Sequence, residues 1–170
     1  GLIHNAALRT PQAIALVDPL IDAPSDGAKP VTYATLWQQT EHCAHSLTRL
    51  GLSPGERVAV YLEKRLETVV ACFGAAQAGA IFVPVNPVLR AEQVGHILQD
   101  CAVAILVTSA ARLASIGPML AGCPSLRHII LIDAAATIPT MNRAAPYPSF
   151  HAWSALLKDA AEKEPAVSPT

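Results

Sequence analysis

Three short segments of this sequence have the residue types and spacing of known chemical sites. The run Gly51-Leu52-Ser53-Pro54-Gly55 has the G-x-S-x-G form of a nucleophile elbow, in which the serine attacks an acyl group. From Gly74 to Gly79 the glycines have the spacing of a phosphate-binding loop. The run His42-Cys43-Ala44-His45 contains three side chains of types that bind zinc. The elements predicted around each segment decide whether it can do this chemistry.

The elements around the two glycine segments argue against both sites. A nucleophile elbow lies between a strand and a helix, whereas here the predicted helix comes first and the predicted strand begins near Arg57. Pro54 also follows the serine directly. A phosphate loop continues with Lys and Ser or Thr into a helix, whereas Ala80-Ile81 follow and lead into a strand. We therefore predict a turn at residues 51–55 and a helix end at Gly79.

The histidine segment is predicted to lie on one helix with its side chains on different faces. His42 and His45 share an outer face with the polar residues Glu41 and Arg49, whereas Cys43 points inward. This arrangement favours a solvated helix face over a zinc site. With all three segments set aside, we predict no catalytic, cofactor-binding or metal-binding residue within the 170 residues.

The cysteines indicate a reducing compartment. Cys43, Cys72, Cys101 and Cys123 show no C-x-x-C spacing, and three of them take apolar positions of predicted helices. Buried reduced thiols are typical of such positions. Residues 1–12 lack the basic region and the uninterrupted apolar core of a signal peptide. We therefore expect a cytoplasmic protein.

The composition favours one folded domain and excludes two classes of partner. Hydrophobic residues make up 52% and charged residues 15%, which suits strands buried on both faces. The net charge of -1 and the absence of a basic run give nucleic acid no binding surface. Thr68 to Leu89 is uncharged, but Gln77, Gly79 and Pro84 interrupt it. A membrane-spanning helix needs about 20 continuous apolar residues, so no span is predicted.

The stretch from Arg57 to Asn86 is predicted to be the central strand–helix–strand unit. β-branched residues begin and end it, and apolar residues recur at helical spacing between them. The helix is apolar nearly all round, so we expect it to be packed on both sides. Pro84 and Pro87 should prevent the second strand from continuing as an interior strand.

The rest of the chain continues this alternation. Strands are predicted near Arg57–Leu62, Ile81–Val85, Val103–Val107 and His128–Ile132, in the order 2-1-3-4. Further predictions are a helix at Leu2–Arg9, a strand at 12–17, a turn containing Asp18, Asp22 and Asp26, helices at 33–50, 91–101, 110–120 and 150–160, and a connection from Asp133 to Ser149. Together they predict an α/β fold, a Rossmann-like parallel sheet with helices on both faces.

Two motifs of the chain, Val31-Thr32-Tyr33-Ala34-Thr35-Leu36 and the run from Ala78 to Asn86, resemble core motifs of a known family, the adenylate-forming (AMP-binding) enzymes, which include acyl-CoA ligases. Val31-Thr32-Tyr33-Ala34-Thr35-Leu36 is similar to the T-Y-x-E-L motif, although Thr35 replaces the usual glutamate. Thr32 is also predicted to be the N-cap of the helix at 33–50. The run from Ala78 to Asn86 resembles A-G-x-x-Y/F-V-P-I/V-D/N over its full length. Gly55-Glu56-Arg57-Val58-Ala59 and Leu98-Gln99-Asp100-Cys101 also occur in the order and spacing of the family.

The resemblance implies that an acid attacks ATP, with Mg²⁺, to give an acyl-adenylate, and that the acyl group then passes to coenzyme A. It also implies that residues 1–160 are the N-terminal subdomain of an acyl-CoA synthetase-like fold, and residues 161–170 a linker to the phosphate loop. Since none of the family's phosphate, metal or lysine motifs occurs here, we expect the chain alone to be inactive and without bound cofactor. The run from Val60 to Thr68 looks like ligases of bacterial exopolysaccharide and exosortase systems.

Two further expectations concern partners. The alternative to a ligase is a stand-alone α/β module that binds a nucleotide or another protein without catalysis. As part of a longer enzyme, the chain should expose apolar surface near its helices at 66–78 and 91–101. We therefore expect a two-fold homodimer that a charge at Val70 or Val94 would disrupt.

Overall fold

The computed structural model describes residues 1–17, 30–133 and 148–161. The helices are α1 (Leu2–Arg9), α2 (Tyr33–Arg49), α3 (Leu66–Gln77), α4 (Ala91–Asp100), α5 (Ala110–Ile116) and α6 (Trp153–Ala161). The strands are β1 (Ile14–Val17), β2 (Pro30–Thr32), β3 (Arg57–Tyr61), β4 (Ile81–Pro84), β5 (Ile105–Thr108), β6 (His128–Leu131) and β7 (Ser149–Ala152). The predicted aspartate-containing turn, most of the connection after Asp133 and the tail at 162–170 lie outside the described residues.

The main sheet has five parallel strands in the order β4-β3-β5-β6-β7. The four predicted strands and their order are confirmed. The fifth strand, β7, was not predicted, because its residues were assigned to the connection and to the last helix. It pairs with β6 from His128 opposite Ser149 to Leu131 opposite Ala152, and α6 therefore begins only at Trp153.

Two apolar layers cover the two faces of this sheet, so helices on both faces are confirmed. Alternate residues of β3 belong to different layers, as the two-residue period of a strand requires. Val58 and Val60 lie in the layer with Leu47 of α2 and Val70 of α3. Ala59 lies in the other layer, whose members include Val94 and Leu98 of α4, Leu113 of α5 and Ile129 of β6.

The N-terminal elements form a separate, smaller sheet. β1 and β2 pair antiparallel, and the backbone of Tyr33 donates a hydrogen bond to the Ala13 carbonyl at 3.0 Å. The hydroxyl of Thr32 accepts a hydrogen bond from the Thr35 backbone at 3.2 Å, so Thr32 is the N-cap of α2 as predicted. These contacts attach the small sheet to the first long helix.

Helix α3 differs in part from its prediction. Its apolar surface is not covered all round, because the Phe73 side chain is 45% exposed. Its C-terminal end agrees, since Gly79 follows it with a φ of 78°. The next strand, β4, lies at the edge of the sheet and ends at Pro84, as its prolines predict.

The hydrogen bonds of β4 show which of its backbone groups face outward. The N–H groups of Ile81 and Val85 donate to carbonyls of Glu56 and Val60 on the β3 side, at 2.8 and 2.9 Å. Odd-numbered residues of β4 therefore direct their N–H groups to β3, and even-numbered residues direct theirs away from the sheet. Pro84 takes one of the outward positions and has no N–H group to offer.

Helix α5 is shorter than predicted. It ends at Ile116, and a 3₁₀ helix follows over Gly117–Gly122. Pro118 lies in the first turn of that 3₁₀ helix, where its missing N–H removes an α-helical hydrogen bond. None of the helices within residues 1–17, 30–133 and 148–161 is long and apolar enough to cross a membrane.

Candidate functional site

The topology of the sheet places its natural ligand crevice between β3 and β5. The chain passes from β3 to β4 on one side and then to β5 on the other side of β3. In open α/β sheets, ligands bind outside the carboxyl ends of the strands at such a reversal. We call the space beyond Tyr61 and Thr108, at these strand ends, the switch-point crevice. The Thr108 hydroxyl donates a buried hydrogen bond of 2.9 Å to the Tyr61 carbonyl, which holds the two ends together.

An arginine occupies the switch-point crevice. Arg112, in α5, donates from Nη2 to the carboxylate of Glu63 and from Nη1 to the Pro87 carbonyl at 3.0 Å. Its guanidinium carbon lies 4.8 Å from the centroid of the Tyr61 ring, within the range of a cation–π contact. Arg112 therefore connects the segments that follow β3 and β4 to α5.

The charges of Arg112 and Glu63 compensate each other. The hydrogen bond from Arg112 lowers the pKa of Glu63, and the bond to Glu63 raises the pKa of Arg112. Glu63 is 46% exposed and Arg112 is 18% exposed, so solvent screens the pair from one side. An arginine that is already paired in this way offers less charge to a phosphate.

A second carboxylate covers the start of α5. Both oxygens of Asp133, which follows β6, accept the Ala110 N–H at 2.9 and 3.2 Å. The Ser109 hydroxyl accepts from the Arg112 backbone as N-cap. These two side chains satisfy backbone donors that would otherwise be free to bind an anion. In the described part of this edge, the positive groups, which are Arg112 and the start of α5, are therefore already paired with carboxylates of the protein.

An open depression of about 310 Å³ lies beside the start of α3. Its lining residues are Leu16, Val17, Lys64, Arg65, Leu66, Thr68 and Val69. Arg65 pairs with Glu67 through Nε at 2.7 Å and Nη2 at 3.0 Å, so its charge is balanced. The lining is mostly apolar, and we assign no reaction to it.

Both glycine segments have the local structure predicted for them, a turn at residues 51–55 and a helix end at Gly79. Residues 51–55 form a turn between α2 and β3, in which Gly51 and Gly55 both have a φ of 81°. Gly74 lies in α3 against α2, where an added Cβ would come within 2.7 Å of Cys43 Sγ. In both segments a helix precedes a strand, the reverse of the order that a nucleophile elbow and a phosphate loop require.

The prediction for the histidine segment was wrong in one respect. His45 is exposed and Cys43 is buried as predicted, but His42 is buried instead of sharing the outer face. The buried face of α2 is wide because α1, α3 and α6 all pack against it. Within residues 1–17, 30–133 and 148–161, no group of three or more His, Cys, Asp or Glu side chains is placed to hold a metal ion.

Sequence reasoning did not find the Arg112–Glu63 pair. The two residues are separated by 49 positions, so no short motif contains both. A signal was present, because Glu63 follows a predicted strand closely and Arg112 lies in the first turn after another. Carboxyl ends of neighbouring parallel strands meet at one edge, and the predicted strand order would have brought these residues together.

Comparisons with known proteins give one consistent family. The family model described as AMP-binding enzyme matches residues 3–169. The chain is 30% identical over 166 residues to long-chain-fatty-acid–CoA ligase FadD13 of Mycobacterium tuberculosis, covering 98% of this chain and 29% of the ligase. It is 34% identical over 135 residues to the salicyl-AMP ligase / salicyl-S-ArCP synthetase of the same organism, covering 76% and 23%.

A solved structure agrees with these sequence comparisons. The N-terminal domain of FACL13 from Mycobacterium tuberculosis superposes with a TM-score of 0.68 at 28% identity. The match covers 99% of this chain and 38% of that domain structure. The chain thus has the fold of the N-terminal region of such proteins and spans less than a third of the length of these two relatives.

Proposed function

Because the chain belongs to the AMP-binding enzyme family, we propose that it works as the N-terminal part of an AMP-forming acid–thiol ligase. In this reaction a carboxylic acid attacks ATP to give an acyl-adenylate and pyrophosphate, and coenzyme A then takes the acyl group. The family match over residues 3–169 carries the proposal. The likeness to a fatty-acid–CoA ligase over 98% of the chain supports coenzyme A as acceptor.

The described residues do not fit ATP or Mg²⁺. Glu63 pairs with Arg112, and Asp133 accepts the Ala110 N–H at the start of α5, so both carboxylates already have partners within the protein. Mg²⁺ requires near-octahedral oxygen ligands, usually with substrate phosphates among them. We therefore assign no chemical step to these side chains. Their proposed role is to hold the switch-point crevice rigid, and we propose that this chain alone is inactive.

Three narrower points remain proposals. The free thiols of Cys43, Cys72, Cys101 and Cys123 support a reducing compartment, and we propose the cytoplasm. The link to exopolysaccharide and exosortase systems stays a prediction. The alternative of a stand-alone binding module is less well supported, since the family match extends over almost the whole chain.

Acid-dependent exchange of pyrophosphate into ATP tests the proposal. The 170-residue chain and the longer natural chain that contains it would be assayed side by side with a panel of fatty and aromatic acids. We expect exchange only with the longer chain. Stabilising the charge that develops on the phosphates needs hydrogen-bond donors that are not already paired within the protein. Exchange by the 170-residue chain above a buffer blank would contradict its proposed inactivity. A longer chain that is folded but inactive with every acid would contradict the ligase.

A further inference from the structure

Two histidines outside the switch-point crevice meet across the last two strands of the sheet. Nδ1 of His128 lies 3.1 Å from Nε2 of His151, and the ring centroids are 5.1 Å apart with a tilt of 54°. In the parallel register, His128 is opposite Ser149 and His151 is opposite Ile130. Both histidine side chains therefore leave the same face of the sheet. Because each is carried by a paired strand, the backbone fixes their separation.

A backbone contact orients one of the two rings. A backbone hydrogen bond with Leu50, the residue that follows α2, acts to raise the pKa of the His128 ring. A histidine that donates one ring N–H to a carbonyl has a defined tautomer and orientation, and its other nitrogen keeps a lone pair for a second partner. Metal-bound histidines characteristically have this arrangement. In His128 the nitrogen facing His151 is Nδ1.

The surroundings favour the neutral form of both rings. Burial lowers the pKa of His128, and the charge of Arg127 lowers it further against the opposing effect of the Leu50 hydrogen bond. Burial and the neighbouring His128 lower the pKa of His151. Neutral imidazole is the form that binds a metal, because the cation needs the nitrogen lone pair that a proton would occupy.

We propose that His128 and His151 form a two-nitrogen site for a borderline divalent cation, represented by Zn²⁺, that links β6 to β7. Two imidazole nitrogens about 2.0–2.1 Å from one Zn²⁺ in tetrahedral geometry are about 3.3 Å apart. The observed separation of 3.1 Å differs from this by a few tenths of an ångström. Without the cation, one ring donates a hydrogen bond to the other. When Zn²⁺ binds, it takes the place of that proton, which moves to the other nitrogen of the same ring, so both rings stay neutral.

The identity of the ligands sets both the selectivity and the strength of the site. Imidazole suits Zn²⁺, Cu²⁺ and Ni²⁺, whereas Mg²⁺ and Ca²⁺ prefer oxygen. The proposed site has these two protein ligands, and within the described ranges no set of three His, Cys, Asp or Glu side chains converges on one point. The site is therefore weaker than a structural zinc site with four protein ligands. The proposal does not depend on the proposed ligase activity.

Calorimetric titration with Zn²⁺ tests the site, using the chain produced without a polyhistidine tag at about pH 7.5, where imidazole is neutral. We expect one Zn²⁺ to bind and either His128→Gln or His151→Gln to weaken binding at least about tenfold, because each variant removes one of two protein ligands. His96→Gln, at an exposed position of α4, is the matched control and should leave the affinity unchanged. Mg²⁺ should give no binding heat with any variant.

Thermal unfolding provides the second measurement. Zn²⁺ should raise the melting temperature of the wild-type chain and of His96→Gln, but not of His151→Gln, because only a ligand bound to the folded state stabilises it. Circular dichroism identifies the variants that remain folded, and His151→Gln suffices if His128→Gln does not fold. Equal Zn²⁺ affinity in the wild type, His151→Gln and His96→Gln would overturn the proposal. The absence of binding to the wild type would overturn it as well.

Discussion

At the scale of single residues, Glu56 connects two distant parts of the chain. Its carboxylate accepts hydrogen bonds from Nη1 and Nη2 of Arg127 at 2.7 and 2.8 Å, and from the Ser53 backbone at 2.8 Å. The turn before β3 is thereby held to the residue that precedes β6. The hydrogen bonds from Arg127 and then from Ser53 lower the pKa of Glu56 to about 2.

This lowered pKa predicts how acid affects stability. Glu56 contributes to stability in its charged form, so its contribution is complete above pH 4.5 and is lost as the pH falls from 4.5 towards about 2. Urea unfolding across this range should show that the difference in unfolding free energy between the wild type and Glu56→Gln shrinks as the pH falls. Because both partners are partly exposed, we expect that difference to stay below about 1 kcal/mol.

A second charge variant separates this effect from a general loss of negative charge. Glu92→Gln removes an exposed carboxylate from the first turn of α4 and should not reproduce the pH dependence of Glu56→Gln. A Glu56→Gln difference that stays constant from neutral pH to about pH 2 would contradict the assignment.

The sequence could not predict residue pairs that only the fold brings together. Arg112 and Glu63, or His128 and His151, are assembled by strand order and register, and neither pair forms a local pattern. By contrast, Thr32 and Gly79 were predicted correctly, because an N-cap and a helix C′ glycine are defined by their immediate neighbours. Features defined by neighbouring residues could therefore be predicted from the sequence, whereas the candidate site could not.

At the scale of elements, the close contact of α2 and α3 depends on Gly74. A Cβ at this position would lie 2.7 Å from Sγ and 2.8 Å from Cβ of Cys43, shorter than side chains tolerate. The thiol has little room to move, since Cys43 is buried, and burial raises its pKa to about 12. The small residue thus allows two helices of the same layer to approach.

Substitution of Gly74 should therefore destabilise the chain even though alanine is the better helix former. We expect Gly74→Ala to lower the free energy of unfolding by about 1–2 kcal/mol, because overpacking outweighs the gain in helix propensity. Gly117→Ala is the matched control, since Gly117 has open space around it and a φ of -45°. Chemical denaturation of both variants compares them, and a Gly74→Ala chain as stable as Gly117→Ala would refute the packing argument.

Elements were predictable where their periodicity was strong. β3, β5 and β6 are continuous apolar runs and were found within two residues of their bounds. β7 was missed because Ser149-Phe150-His151-Ala152 is short, is only half-buried and lies at the sheet edge. Its pairing with β6 overrides its weak local preference for a strand.

At the scale of the whole molecule, two exposed aromatic side chains lie on the same side of the main sheet, one on α3 and one on the edge strand β4. Phe73 is 45% exposed and Phe82 is 41% exposed. Phe82 lies opposite Val58, whose side chain belongs to the layer of α2 and α3, so both aromatics lie on the α3 side of the sheet. The surface expected to mediate self-association is therefore here, and not at Val70 or Val94, which are completely buried.

We predict that the 170-residue chain forms a homodimer through Phe73 and Phe82. Sedimentation over a concentration series should show a dimer in the wild type and a monomer in Phe82→Lys and Phe73→Glu, because a charge opposes burial of this surface. Gln99→Glu, exposed on α4 on the other face of the sheet, controls for added charge alone. A wild-type chain that remains monomeric at high concentration would disprove the prediction, and so would variants that dimerise as the wild type does.

The outward position of Pro84 also determines how this sheet can be extended. β4 pairs with no further strand among the described residues, and a strand that approached this edge would find the Phe82 N–H but no donor at Pro84, so a regular ladder could not form there. This protects a short apolar strand against the intermolecular β-stacking that leads to aggregates. Among the described strands, the opposite edge at β7 has no proline within the strand, so a further strand could pair there without this loss.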